Sequence, residues 1–184
     1  METIILKGEK IKIRELSNKD LKNILDFLNY INSLVKEGAK ISLKKEKSLK
    51  EGKDFLKKSL KEIKNKEKFS LLAEVNDKII AMASLDLYEE IRDHIAEFSI
   101  GILKSHRGIG LGKYLMKEVI DRGIKKLKTK IKIIRLNLYS NNKIALSLYK
   151  KMGFKVVAKI PKDIQYKGKL IDSIVMIKFL KNEK

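Results

Sequence analysis

Three glycines, at positions 108, 110 and 112, separate an apolar strand-like run (95–102) from a helix-like run (111–127). Glycines between a strand and a helix start suit an anion such as phosphate. They let backbone N–H groups come close, and the helix N-terminus adds unsatisfied donors and the positive end of its dipole. Two better-known glycine loops fail on spacing. A Walker loop needs four residues between its first glycine and Gly-Lys-Ser/Thr, whereas three lie between Gly108 and Gly112, and Tyr114 follows Lys113. The dinucleotide pattern G-x-G-x-x-G fails because these glycines fall at every second position.

Composition narrows the chemistry around that loop. At 184 residues, 43% of them hydrophobic, the chain is long enough for one domain with a sizeable core, and a single domain over 1–184 is expected. No apolar run reaches the roughly 18 residues of a membrane span, and positions 1–3 open directly into a strand pattern. A soluble, cytoplasmic protein without a signal peptide is the expectation. Zero cysteines exclude disulfides, thiolate metal sites and a cysteine nucleophile, and two histidines argue against a metal site. The net charge of +20 would suit nucleic acid, a membrane surface or an anionic cofactor. Only five of the 43 basic residues are arginine, however, and phosphate-recognition surfaces favour the arginine fork. The lysines alternate with Glu and Ile along the chain, as in heat-adapted proteomes, so the charge reads as compositional.

Periodicity predicts β-α-α-β-β-β-α-β-α-β-β. The first strand (4–14) is interrupted near Gly8. Ser17 to Asp20 resembles a capping box, with Asp in place of Glu, ahead of a helix carrying Leu21, Ile24, Leu25, Leu28, Ile31 and Val35 and ending at Gly38. A charged loop (37–47), a candidate wall of a substrate site, precedes a second helix (48–66). Asn76-Asp77 signals a hairpin between strands 69–75 and 78–88. Gly101, inside the strand before the loop, marks a bulge or a close backbone approach where the sheet opens. A third helix, a strand (131–139) and a short helix (142–152) stopped by Gly153 follow. Two strands, 154–160 and 169–180, joined through Pro161 and Lys167-Gly168, close the chain. An α/β (α+β) fold results, a mixed sheet covered by helices.

The second informative stretch runs from Asn142 through Ala145, Leu148 and Tyr149 to Gly153 and Phe154, and reads N-x-x-A-x-x-L-Y-x-x-x-G-F. Together with Arg107-x-x-Gly110-x-Gly112, one helix and one strand upstream, it resembles the two acyl-CoA segments of the GNAT superfamily of N-acyltransferases. The resemblance covers about 79–180; the first 70 residues agree in pattern only. It implies a centrally splayed sheet, acetyl-CoA as acyl donor, no metal, and a small-molecule or peptide amine as acceptor; a homodimer is compatible with it. The closing segment 160–176 is similar to a subset that acetylates small amines or free amino acids.

The resemblance also distributes roles. Ile100, Gly101 and Ile102 would pair their backbone with pantetheine, and the N–H groups of Gly108, Ile109, Gly110, Leu111, Gly112 and Lys113 would hold pyrophosphate. Arg107 would reach a phosphate or form a salt bridge across the loop. Asn142 would contact the cofactor or cap its helix. Tyr149 resembles the general acid that protonates the departing thiolate, the alternative being simple core packing. A backbone N–H near Gly101 would meet the oxyanion. Glu97 is the candidate base, or else a structural or substrate-positioning carboxylate. The family's other glutamate position is occupied here by Asn137. His94 is an outside candidate, and Asp86, Tyr88 and Glu89 are candidates for the acceptor side. Neither Ser99 nor Ser105 has a histidine–acid partner recognisable in the sequence, so direct transfer in a ternary complex is expected. The competing reading is a basic nucleic-acid- or ribosome-associated module on a degenerate acyltransferase fold. It is weakened by the shortage of arginine and of aromatic–basic strands.

Overall fold

Alternate burial in β2 (Glu9–Glu15) buries Ile11 and Ile13 completely and leaves Lys10 and Lys12 outward, the period of a half-covered strand. The computed structural model describes residues 1–180, and its contacts divide into two units. The first comprises 1–86 and 99–128, the second 87–98 and 129 onward.

In the first unit β1 (Glu2–Leu6), β2, β3 (Lys68–Val75) and β4 (Lys78–Leu87) form an antiparallel meander. The expected interrupted first strand is instead a hairpin. Lys7 and Gly8 both have positive φ (48° and 82°), as do Asn76 and Asp77 (49° and 57°), which fits tight two-residue turns. The apolar runs on either side of Lys7-Gly8 hide that turn from a periodicity reading. The first predicted helix is also two. α1 (Asn18–Lys22) breaks at Asn23, and α2 (Ile24–Lys36) restarts there. Asp20, rather than Glu, occupies the capping position because it does more than cap. It accepts from Ser17 N–H at 2.8 Å and binds Arg14 at 2.6 and 2.9 Å, and Arg14 also reaches Glu74. α3 (Leu49–Lys64) opens on a capping box of Ser48 and Glu51. β3 is buried at all but its last position, because Leu72 meets Phe27, Tyr30 and Leu56 in one cluster while α4 (Leu111–Lys126) packs against the strand as well. Gly123 lets α4 seat closely, since a Cβ there would fall 2.7 Å from Leu85.

In the second unit β5 (Ile95–Ile102), through its residues 95–98, runs parallel to β6 (Ile133–Tyr139). β8 (Lys169–Phe179) lies antiparallel to β6, and β7 (Lys155–Tyr166) to β8. β7 is longer than expected and carries Pro161 within it, tolerated where the register shifts between Ile160 and Ile164. α5 (Lys143–Lys151) buries Tyr149. Among the described residues no helix is long and apolar enough to cross a membrane.

Candidate active site

The glycine loop belongs to the first unit. β5 ends where a Cβ on Gly101 would meet Tyr30 Oη and Leu34 Cδ1 at 2.8 Å, so glycine provides room for side chains of α2. The Tyr30 hydroxyl donates to the Gly101 carbonyl at 2.9 Å, and burial raises its pKa. A 3₁₀ turn, Lys104–His106, then leads to Arg107. Arg107 Nε donates to the Ile102 carbonyl at 2.8 Å and Nη2 to Glu37 at 2.9 Å, so in this structure the arginine forms the salt bridge across the loop. Glu37, at the end of α2, also accepts from Lys104 N–H at 2.9 and 3.0 Å. This carboxylate, 70 residues before Arg107, fixes the start of the loop, a pairing that no local spacing in the sequence reveals.

Beyond Arg107 the backbone opens. Gly108 and Gly110 have φ of 77° and 97°, and a Cβ on either would find nothing within 4 Å. Gly110 is the N-cap of α4 and has no side chain to cap with. The first intrahelical bond is donated by Tyr114 N–H to Gly110 C=O at 3.1 Å, so the N–H groups of Leu111, Gly112 and Lys113 precede it. No acidic residue occupies that first turn. Unsatisfied donors, a positive dipole end and an open left-handed glycine turn fit an anion such as pyrophosphate.

One arrangement is visible only in the folded chain. Ser105 Oγ lies 2.8 Å from His106 Nδ1, and His106 Nε2 is 3.4 Å from Glu9 Oε1, a row unseen in the sequence because Glu9 is so distant. An activated nucleophile needs its base aligned by a well-held acid. Here the acid is half-exposed and at ion-pair rather than short hydrogen-bond distance, which ties the turn to β2.

The acid–base candidates lie in the second unit. The Tyr149 ring packs edge-on against Phe98 (6.3 Å between centroids) and tilted against Phe154 (6.1 Å). Burial alone pushes its pKa up to about 12, so the phenol stays neutral and proton-bearing at any working pH. Asn142 caps α5, its Oδ1 accepting from Ala145 N–H at 3.4 Å. Glu97 is half-buried and held at both oxygens, by the Tyr88 hydroxyl at 2.8 Å and by Asn137 Nδ2 at 2.9 Å. The parallel register pairs Glu97 with Arg135, which puts Asn137 two residues further along β6 on the same face. Arg135 in turn lies with its Cζ 6.0 Å from the Tyr88 ring centre. His94 lies elsewhere in this unit. It lines an open cavity of about 670 Å³ with Asp93, Thr129 and Lys130, and neither Glu97 nor Tyr149 reaches that cavity. Asp86 is taken up by Lys68 at 2.5 Å in the first unit, and Glu89 is exposed.

A family model described as Acetyltransferase (GNAT) family matches residues 37–154. Among solved structures, the acetyltransferase of GNAT family from Streptococcus pneumoniae is 28% identical, covering 92% of this chain and 99% of that one with a TM-score of 0.76. The ribosomal-protein-alanine N-acetyltransferase from Brucella melitensis (22% identical, 92% and 99% covered, TM-score 0.78) has the same fold. So does yncA from Salmonella typhimurium with its cofactor acetyl-CoA (20% identical, 94% and 95% covered, TM-score 0.78). No curated protein matches the sequence.

Proposed function

The chain belongs to the GNAT family of acetyltransferases, and on that premise we propose that it moves an acetyl group from acetyl-CoA to an amine by direct attack. The observation that carries this reading is the open glycine turn at Gly108 and Gly110 leading into an uncapped helix N-terminus. The N–H groups of Leu111, Gly112 and Lys113 would hold the pyrophosphate, and Arg107, held by Glu37, keeps the loop in shape for it. When bound, acetyl-CoA supplies a thioester carbon that a neutral amine can attack.

The chain's own residues then manage protons. Tyr149 is the proposed donor to the departing sulfur. A phenol held neutral by burial always has its proton available, and the apolar surroundings that raise the phenol also raise a thiol beside it. Glu97 is the proposed acceptor-side carboxylate. Its oxygens are each fixed by one donor, and a carboxylate offers about four lone-pair sites, so it can still accept from an ammonium. Loss of the ammonium proton goes to Glu97 or to water beside it.

The test is thermal. Acetyl-CoA at a hundredfold excess over its dissociation constant should stabilise the protein by about 2.7 kcal/mol, read as a rise in Tm. Release of free CoA thiol across a panel of amines then identifies acceptors. No shift in Tm with acetyl-CoA would overturn the assignment.

A further inference from the structure

Arginine is scarce in this chain, and the half-buried Arg14 and Arg122 are paired, as is the exposed Arg107. Arg14 sits on Asp20 and Glu74, Arg107 on Glu37, and Arg122 on Glu2 and Glu118. Arg92 is exposed, where water serves it. Arg135 is the exception. It is half-buried, its Nε is enclosed without a hydrogen-bond partner, and it makes no ion pair among the described residues. Its terminal nitrogens are not enclosed in the same way, so they reach accessible surface beside the Tyr88 ring. A desolvated guanidinium without a counter-charge is costly, and its fork geometry matches a carboxylate.

The position of this cation is specific. Glu97 and Arg135 are register partners on parallel strands, which places an anchored carboxylate and an unpaired guanidinium on one face, on backbones about 4.8 Å apart. Tyr88 lies against both, through its hydroxyl to Glu97 and its ring to Arg135. Opposite charges this close, yet not paired to each other, match a ligand that is itself split in charge. We propose that the acceptor carries a carboxylate a few bonds from its amine, an α-amino acid being the simplest, with Arg135 taking the carboxylate and Glu97 the ammonium. This rests on the acetyltransferase reading and names its substrate class. A polyamine would leave Arg135 unmatched and set like charge beside it. A peptide N-terminus would offer only a neutral amide carbonyl where the carboxylate belongs, a weaker partner for a cation.

The experiment uses matched pairs on the full chain: L-leucine, L-phenylalanine and L-lysine against 3-methylbutylamine, phenethylamine and cadaverine. Calorimetric binding is measured without acetyl-CoA, and kcat/KM by thiol release with it. The amino acids should bind, and be turned over, about 10- to 100-fold better than their amines, the range for hydrogen bonds to a charged group. Arg135→Gln should bring that ratio near unity, mostly through KM, and Arg135→Lys should restore part of it. The Tm of Arg135→Gln should not fall, because an unpaired cation leaves the half-buried site; a purely structural arginine would lower it. Equal binding within every pair, binding of none of the six, or an unchanged ratio in Arg135→Gln would each overturn the proposal. Because the binding arm needs no acetyl-CoA, it decides this point even if acetyl transfer fails.

Discussion

Tyr149→Phe is expected to lower kcat by about 10²- to 10⁴-fold, the range for lost acid–base assistance, with little change in the KM for acetyl-CoA. The substitution removes one hydroxyl and keeps the ring that packs on Phe98 and Phe154, so the fold should persist. The pKa of about 12 sharpens the expectation. A donor this weak faces a thiolate whose ordinary pKa is about 8.5, so transfer is uphill unless the sulfur shares the same dry surroundings. The loss should therefore shrink with an acyl donor whose thiol leaves more readily, since that sulfur needs less protonation. The pH profile gives a second reading. Tyr149 is protonated throughout the working range, so any fall in kcat/KM between pH 8 and about 10.5 belongs to another group and should survive in Tyr149→Phe. An unchanged kcat, with acyl transfer shown to limit the rate, would leave Tyr149 as a core tyrosine.

Legibility of the chain depends on distance. The Asn76-Asp77 turn, the glycine loop and the start of α5 each announce themselves within a few residues, because backbone conformation and capping are local matters. The Lys7-Gly8 hairpin does not, since Lys7 to Lys10 reads as a short polar gap within one apolar strand and Lys-Gly is not among the usual hairpin turn pairs. The surroundings of Glu97 are set by long-range packing instead. Tyr88 and Asn137 reach it only once the β5–β6 register is known, and Glu37 meets Arg107 only after α2 has packed. Arg135 left a faint trace. Along β6 the residues Ile134, Leu136 and Leu138 are buried, while Arg135, Asn137 and Tyr139 alternate with them. An arginine within that polar set stands out in a chain whose cations are nearly all lysine, and its fork suits a carboxylate where lysine offers a point charge.

Gly110→Glu should abolish acetyl-CoA binding while the protein remains folded, and the reasons separate cleanly. A Cβ at this position meets nothing within 4 Å, so bulk causes no clash. The φ of 97° does impose strain on any side chain, of about 1–2 kcal/mol. A carboxylate at a helix N-terminus recovers part of that through the dipole, so Tm should fall by only a few degrees. Toward the ligand the same charge is unfavourable. It competes for the N–H groups of Leu111, Gly112 and Lys113, and it sets an anion beside the pyrophosphate. Two like charges about 4 Å apart near a protein surface repel by about 4 kcal/mol, close to a thousandfold in affinity. Gly110→Ala is the control, because it carries the strain without the charge and should lose far less. Calorimetric titration of acetyl-CoA into both variants distinguishes the outcomes. Affinity retained in a folded Gly110→Glu protein would place the pyrophosphate somewhere other than this loop.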